Sequence, residues 1–114
     1  APSKGDELQS EFFVDRSHAV AALAKLEEIA PDFHPFLWVS EIRTVAADEL
    51  WMSGSFQRPT VAIHFTWKKV DEALDCVRRV EEVLAPFDYR PHFGKVYFAT
   101  PEHVARVCPL AKFK

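Results

Sequence analysis

The sequence predicts an α+β domain of the ferredoxin-like type, with the element order βαββαβ followed by a short C-terminal helix. Two segments repeat apolar residues at helical spacing, and four segments carry the alternating or β-branched patterns of strands. The chain has 114 residues, 48% of them hydrophobic, which suits one domain with one core. In this order the strands form an antiparallel sheet, and both long helices pack on one of its faces.

The first strand and the first helix are predicted near the start of the chain. Residues 8–14 (LQSEFFV) alternate enough to form a strand. Ser17 can cap a helix that runs through about Ala30, and Pro31 is expected to stop it. The apolar stripe of this helix consists of Ala19, Ala22, Leu23, Leu26 and Ile29 or Ala30.

An acid and a guanidinium interrupt the apolar pattern of the second strand, residues 36–45. Alternate side chains of a strand point the same way, so Glu41 and Arg43 are expected on the face that also carries Leu37 and Val39. A lone charge on a covered face is costly unless a partner offsets its desolvation. From spacing alone, ordinary surface charge is the simpler interpretation of this pair.

The second half of the chain repeats the pattern of strand, helix and strand. The polar segment 46–59 connects to a third strand at 60–67 (TVAIHFTW), which is rich in β-branched and aromatic residues. A helix that ends at Pro86 follows. Its apolar side is predicted to hold Val70, Ala73, Leu74, Val77, Val80 and Leu84, and its solvated side Asp71, Glu72, Arg78, Arg79, Glu81 and Glu82.

The chain closes with a fourth strand and a short helix. Residues 89–98 (YRPHFGKVYF) form a strand that Pro91 and Gly94 interrupt. Thr100, Pro101 and Glu102 begin the last helix as a cap, a first-turn proline and an early acid.

One face of the sheet lies away from both helices, and polar residues are expected on it. Helices need an apolar face beneath them, so Ile63 and Phe65 are expected under the helices, with His64 and Thr66 on the open side. The other residues that can join them are Gln9, Glu11, Glu41, Arg43 and Lys95. Lys95 and His92 are expected on opposite faces unless Gly94 introduces a bulge. A histidine near two cations favours its neutral form and can accept a proton.

Composition excludes several classes of function. A net charge of −3 argues against a nucleic-acid binder, which usually presents a basic patch. No apolar run approaches about 20 residues, so no transmembrane segment is predicted. The two cysteines, Cys76 and Cys108, form no CxxC pair, which favours a reducing, cytoplasmic compartment. His34 and His92 lack a carboxylate at ligand spacing, so no metal site is predicted. Residues 1–7 are expected to be a linker or a cut edge, which suggests a piece of a longer chain.

Four motifs resemble, in this order, the C-terminal substrate domain of bacterial alditol oxidases. They are ELQSEFF, VSEIRTVAAD-LW, AIHFTW and APF-YRPHFGK, and together they cover about 7–109. These oxidases belong to the flavin-dependent sugar-alcohol and aldonolactone oxidase family of the vanillyl-alcohol-oxidase type. Members of the family often have Trp where this chain has Phe93, a conservative departure beside the motif lysine.

The resemblance implies roles for six residues. His64, Arg43 and Lys95 correspond to catalytic positions, with Arg43 and Lys95 also next to the flavin. Glu41, Thr66 and Gln9 correspond to positions that hold the substrate hydroxyls. Glu41 is also expected to orient Arg43.

The implied reaction is oxidation of the terminal hydroxyl of a polyol, such as xylitol or sorbitol, with FAD as cofactor and O2 reduced to H2O2. FAD is expected to be bound mainly by an N-terminal domain that these residues do not include, so residues 8–114 are interpreted as the substrate-binding half of a larger flavoprotein. The isolated chain is expected to bind no FAD and to be inactive. Two alternatives stay open: an aldonolactone oxidase of the D-arabinono-1,4-lactone type, and a non-catalytic ferredoxin-like module that binds a ligand or partner.

Overall fold

One antiparallel sheet and three helices make up the fold, seen in a computed structural model that describes residues 7–48 and 54–108. The strands are β1 (Glu7–Asp15), β2 (Leu37–Val45), β3 (Thr60–Lys68) and β4 (Arg90–Pro91), arranged in the order β2-β3-β1-β4. The helices are α1 (Ala19–Phe33), α2 (Asp71–Leu84) and α3 (Pro101–Val107). The α+β prediction is confirmed, although β4 is far shorter than the predicted 89–98. Six residues of the expected linker 1–7, and the LW of the second motif, lie outside the described residues.

Both long helices pack on the same face of the sheet, as predicted. The buried side chains of this face that join the core are Phe12, Val14, Val61, Ile63, Phe65 and Trp67. They pack with α1 through residues such as Leu26 and Phe33, and with α2 through Val77 and Leu84. The indole of Trp67 donates a hydrogen bond to Ser10 Oγ at 2.9 Å, so even its polar atom is satisfied beneath the helices.

Helix α1 begins and ends differently from the prediction. Ser17 does not cap α1 but lies in a short 3-10 helix, Arg16–His18, that leads into it. Asp15 caps this 3-10 helix, and its carboxylate accepts hydrogen bonds from the backbone N–H and hydroxyl of Ser17 at 2.9 and 2.8 Å. Pro31 does not stop the helix but lies in its last turn. Burial of Phe33, which is only 6% exposed, continues the apolar stripe past the proline and offsets the lost backbone hydrogen bond.

Helix α2 carries one acid on its buried side. Glu81, predicted to be solvated, is 5% exposed and accepts hydrogen bonds from Tyr89 Oη at 2.5 Å and the Phe98 N–H at 2.6 Å. These partners follow α2 in the chain, so its periodicity alone could not reveal them. Val70, assigned to the apolar side, instead precedes the helix and is 40% exposed.

A β-bulge in β2 puts Leu37 on a different face of the sheet from the predicted one. Leu37 pairs with Trp67, whereas Val39 pairs with Thr66, so the register shifts between them. Leu37 therefore packs toward the helices with the core, while Val39, Glu41 and Arg43 share the other face.

Both cysteines are free and buried, and Cys76 joins the hydrophobic core as a small apolar side chain. Within the part of the chain that the structure describes, none of the helices is long and apolar enough to cross a membrane.

Candidate active site

The side of the sheet that is turned away from α1 and α2 gathers all of the predicted site residues. We call this surface the polar face and define it by Gln9, Glu11, Glu41, Arg43, His64, Thr66 and Lys95. Its centre is a row across three strands, because His64 on β3 is opposite Glu41 on β2 and Glu11 on β1. Side chains directly opposite one another have Cβ atoms about 5 Å apart, so these three groups are neighbours.

The Glu11 carboxylate lies at the centre of the polar face and binds two positively charged side chains. Its Oε1 accepts a hydrogen bond from Lys95 Nζ at 2.8 Å, and its Oε2 accepts one from Arg43 Nη2 at 3.1 Å. The side chain is 2% exposed. Burial alone would raise the pKa of Glu11, but the hydrogen bonds and charges of Lys95 and Arg43 outweigh it, and the pKa is lowered. Glu11 is therefore an ionised, buried carboxylate.

Arg43 reaches Glu11 by crossing a whole strand. It belongs to β2, Glu11 belongs to β1, and β3 lies between them. The β3 residue opposite Arg43 is Ala62, whose small side chain leaves room for the guanidinium to pass. The prediction that Glu41 orients Arg43 is therefore wrong, because the carboxylate that holds the guanidinium is that of Glu11.

A tight turn after β4 brings Lys95 onto the polar face. The His92 N–H donates to Glu11 O at 2.9 Å, the Lys95 N–H donates to His92 O at 3.1 Å, and the Val96 N–H donates to Gln9 O at 2.9 Å. The chain thus leaves the ladder at His92 and returns to it at Val96. His92 stacks on Phe13, whose side chain lies on the same side of the sheet as Glu11. His92 and Lys95 therefore lie on one face and not on opposite faces.

His64 lies between Lys95 and Thr66. Its Nδ1 is 3.5 Å from Lys95 Nζ, and its Nε2 is 3.1 Å from Thr66 Oγ1. An ammonium group can only donate, so the tautomer that suits both neighbours carries its proton on Nε2 and leaves the Nδ1 lone pair facing Lys95. Burial, followed by the charge of Lys95, lowers the pKa of His64. The imidazole is therefore neutral near pH 7, as predicted, and its basic nitrogen adjoins a cation.

The remaining predicted residues surround this centre. Gln9 is opposite Thr66 in the ladder and donates through Nε2 to Glu7 Oε2 at 2.7 Å. Glu41 is exposed beside His64. These amide, hydroxyl and carboxylate groups suit a ligand that carries several hydroxyls, because each can donate to or accept from an alcohol.

The connection between β2 and β3 closes one end of the polar face. Gly54 in this connection approaches the ring of Phe13 so closely that a Cβ there would overlap the ring. A cleft of about 370 Å³ lies beside it, lined by Phe13, Arg43, Gly54, Pro91, His92, Phe93 and Gly94. The guanidinium of Arg43 thus lines a cleft as well as the central cluster.

Glu11 is the residue at the centre of the polar face that sequence reasoning placed there but gave no role. Its alternation with Gln9 put it on the open face, yet only the pairing of β1 between β3 and β4 shows that its carboxylate meets both cations. A conspicuous signal was available, since an acid stands next to the apolar run of Phe12, Phe13 and Val14 in a strand.

Comparison with known proteins agrees with the motif resemblance. Residues 6–114 match the family described as ALO, D-arabinono-1,4-lactone oxidase. The chain belongs to the D-arabinono-1,4-lactone oxidase family. The alditol oxidase of Streptomyces sp. (strain IKD472 / FERM P-14339) is 49% identical over 115 residues, which is 99% of this chain. The chain spans 28% of that relative's length.

A solved structure also resembles this member of the D-arabinono-1,4-lactone oxidase family in outline. It is the structure of CPII bound to ADP, AMP and acetate, from Thiomonas intermedia K12. The TM-score is 0.45 with 15% sequence identity, over 86% of this chain and 94% of that chain. A likeness this distant has no bearing on function.

Proposed function

We propose that this chain is the C-terminal substrate-binding domain of an FAD-dependent oxidase that acts on the terminal hydroxyl of a sugar alcohol. The observation that carries the proposal is the convergence of His64, Lys95 and Arg43 around the buried carboxylate of Glu11. Family membership and the 49% identity to an alditol oxidase support it. In this proposal residues 8–114 form the domain.

His64 acts as the general base in the proposed reaction. A substrate hydroxyl at about 3 Å from both His64 Nδ1 and Lys95 Nζ would donate its proton to the imidazole and accept a hydrogen bond from the ammonium. As the O–H bond breaks, negative charge develops on the oxygen, and Lys95 and Arg43 are already in place to stabilise it. The adjacent carbon loses its hydrogen with both electrons, as hydride, and a carbonyl forms.

Glu41, Thr66 and Gln9 bind the rest of the polyol. Each lies on the polar face beside the central cluster, at positions fixed by the β-ladder. Rigid strands hold these groups more precisely than loops would, so a chain of hydroxyls is recognised in one orientation. This orientation presents a terminal hydroxyl to His64.

The polar face suits the flavin ring of FAD, whereas this chain has few of the glycines that usually surround its phosphates. Lys95 and Arg43 form a cationic pair that suits the electron-rich edge of a flavin ring, whose chemistry responds to nearby charge. The chain has three glycines in all, which is few for a Gly-rich loop that cradles phosphates, so the dinucleotide portion would be held by an N-terminal domain of the same polypeptide. When bound, FAD supplies the hydride acceptor and is reoxidised by O2, which becomes H2O2.

The outer strand of the sheet supports contact with such a domain. Trp38, Val39 and Ile42 on β2 are 62%, 50% and 56% exposed. Exposed apolar side chains grouped on one edge strand are typical of an interaction surface. Free buried cysteines support a cytoplasmic location, where thiols stay reduced.

The competing function is oxidation of an aldonolactone, which the description of the matching family favours. The deciding experiment uses the full-length protein and measures H2O2 production with xylitol, sorbitol and D-arabinono-1,4-lactone. We expect kcat/KM to be greater for a polyol than for the lactone. A preference for the lactone would replace the polyol assignment, and no oxidation of any of the three would overturn the proposed function.

A further inference from the structure

The ion pairs of Glu11 are distinct in kind from the other ion pairs of the described residues. Pairs such as Arg78–Asp75 and Arg79–Glu82 join exposed side chains on one helix. Glu11 instead is 2% exposed and joins Arg43, 32 positions later, to Lys95, 84 positions later. Surface pairs contribute little to stability, whereas a buried carboxylate must be compensated by its partners.

The positions of the charged groups of Arg43 and Lys95 depend on Glu11. Both cations are long and flexible, and Arg43 is 64% exposed, so without an anion each would extend into water to separate its charge from the other. Each occupies one oxygen of the same carboxylate, and this fixes the spacing between them. His64, directly opposite Glu11 in the ladder, is thereby held beside Lys95.

The backbone around Glu11 reinforces the arrangement. The carbonyl of Glu11 accepts a hydrogen bond from the His92 N–H at 2.9 Å, at the start of the turn that carries Lys95. Glu11 thus holds the start of the turn through its backbone carbonyl and the ammonium group of Lys95 through its side chain.

We propose that Glu11 is the positioning residue of this site, which holds Arg43 and Lys95 at fixed places on either side of the reacting hydroxyl. The inference rests on the proposed function for the identity of that hydroxyl. Glu11 itself does not contact the substrate, because both of its oxygens are occupied by the cations. A displacement of about 1 Å in a positioned group can reduce turnover by about a hundredfold, which sets the scale of the effect.

The test compares Glu11→Gln with Glu81→Gln in the full-length protein. Both acids are buried and both accept hydrogen bonds, but Glu81 belongs to α2 on the other side of the sheet. Glu81→Gln therefore makes the same substitution at a second buried acid and controls for a general loss of stability. We expect Glu11→Gln to reduce kcat about a hundredfold and Glu81→Gln to change kcat less than threefold.

A second readout separates positioning from a simple loss of charge. Lys95 lowers the pKa of His64 and Glu11 raises it, with Lys95 the greater influence. If Glu11 holds Lys95 in place, Glu11→Gln releases the lysine and the pKa of His64 rises, as it also should in Lys95→Met. If the cations stay where they are, only the negative charge is lost and the pKa falls. NMR titration of labelled histidine measures this pKa, with His64→Gln to assign the resonance.

The two proposals can fail separately. A wild-type protein that oxidises no polyol or lactone would refute the proposed function, and the His64 titration would still decide the role of Glu11. A pKa that falls or stays unchanged in Glu11→Gln would overturn the positioning role. If Glu11→Gln does not fold, Glu11→Asp takes its place, since the shorter side chain keeps the charge that raises the pKa but cannot reach both cations, and a shift in the same upward direction is expected.

Discussion

Lys95 Nζ lies 3.5 Å from His64 Nδ1, although the two residues are 31 positions apart in the chain. The contact puts an ammonium group, which has only hydrogens to donate, against the lone pair of the nitrogen proposed to accept a proton. Burial and, after it, this cation lower the pKa of His64 and so keep the base unprotonated, and in the proposed reaction the cation adjoins the oxygen that becomes negative. Lys95 thus influences both the protonation state of the base and the charge of the alkoxide that develops during the reaction.

Removing the base or the guanidinium should abolish most of the activity of the intact enzyme. We expect His64→Ala and Arg43→Ala each to reduce kcat by roughly a hundredfold or more, the scale of losing a general base or an electrostatic partner. The measurement is H2O2 production with a polyol at saturation. His34→Ala is the control, because His34 is exposed in the turn after α1 and should leave kcat unchanged. Near-normal turnover in both site variants would rule out the mechanism.

The pH dependence of the intact enzyme should report the environment of His64. Burial and Lys95 lower the pKa of His64 below its usual value of 6.5, so its neutral form persists at more acidic pH. We expect the acid limb of kcat/KM to lie below pH 6.5, and to move upward in Lys95→Met, which removes a lowering influence. If the acid limb of kcat/KM of the wild-type enzyme lay at or above pH 6.5, the assignment of His64 as the neutral general base would be contradicted.

The stability of the domain should fall in acid because of Glu11. Its pKa is lowered by folding, so its contribution is present above the usual value of about 4.5 and is lost as pH falls through the folded-state pKa. We expect Glu11→Gln to lower the free energy of unfolding by about 1–3 kcal/mol at neutral pH, from the lost charged hydrogen bonds. Urea denaturation of this chain at several pH values measures the difference.

The contribution of Glu81 to stability should depend on pH in the opposite direction in the same urea denaturation experiment. Burial raises the pKa of Glu81, so its protonated form is favoured by folding, and its contribution is greatest below the unfolded-state pKa and lost as pH rises through the folded-state pKa. The gap between wild type and Glu11→Gln, by contrast, should close as the solution is acidified, because the carboxylate of Glu11 then loses its charge. A gap that widens in acid would show that Glu11 is not ionised in the folded state.

A methyl group at Gly54 should disturb the closed end of the polar face. It would overlap the ring of Phe13, which is 8% exposed, and the ring has little room to move. We expect Gly54→Ala to cost about 1–3 kcal/mol of stability, the usual range for overpacking. Gly94→Ala is the matched control, since its nearest neighbour is His92 Cε1 at 3.0 Å, the edge of a ring that can shift. Equal losses in the two variants would contradict the close approach.

The pairing of secondary elements explains where sequence reasoning succeeded and where it did not. The grouping of Glu41 with Arg43, and of His64 with Thr66, follows from the alternation of a single strand and needs no knowledge of its neighbours. The bulge after Leu37 and the turn at His92 depend on contacts with another strand, so alternation alone put Leu37 on the wrong face and, without a bulge at Gly94, separated His92 from Lys95. Pro31 and Glu81 were misjudged for the same reason, since Phe33 packs against Phe65 and Trp67 of the sheet and Tyr89 donates to Glu81 from beyond α2.

By itself the sequence determined the α+β class, the helix-facing side of β3 and the set of residue types available for chemistry, because these depend on local periodicity and composition. Only the tertiary structure decided that Glu11 binds Arg43 and Lys95 and that Lys95 adjoins His64. These contacts join residues from β1, β2, β3 and the segment after β4. Their geometry depends on strand register and on the burial of one carboxylate, and both are settled by the free energy of the whole packed sheet and not by any single segment.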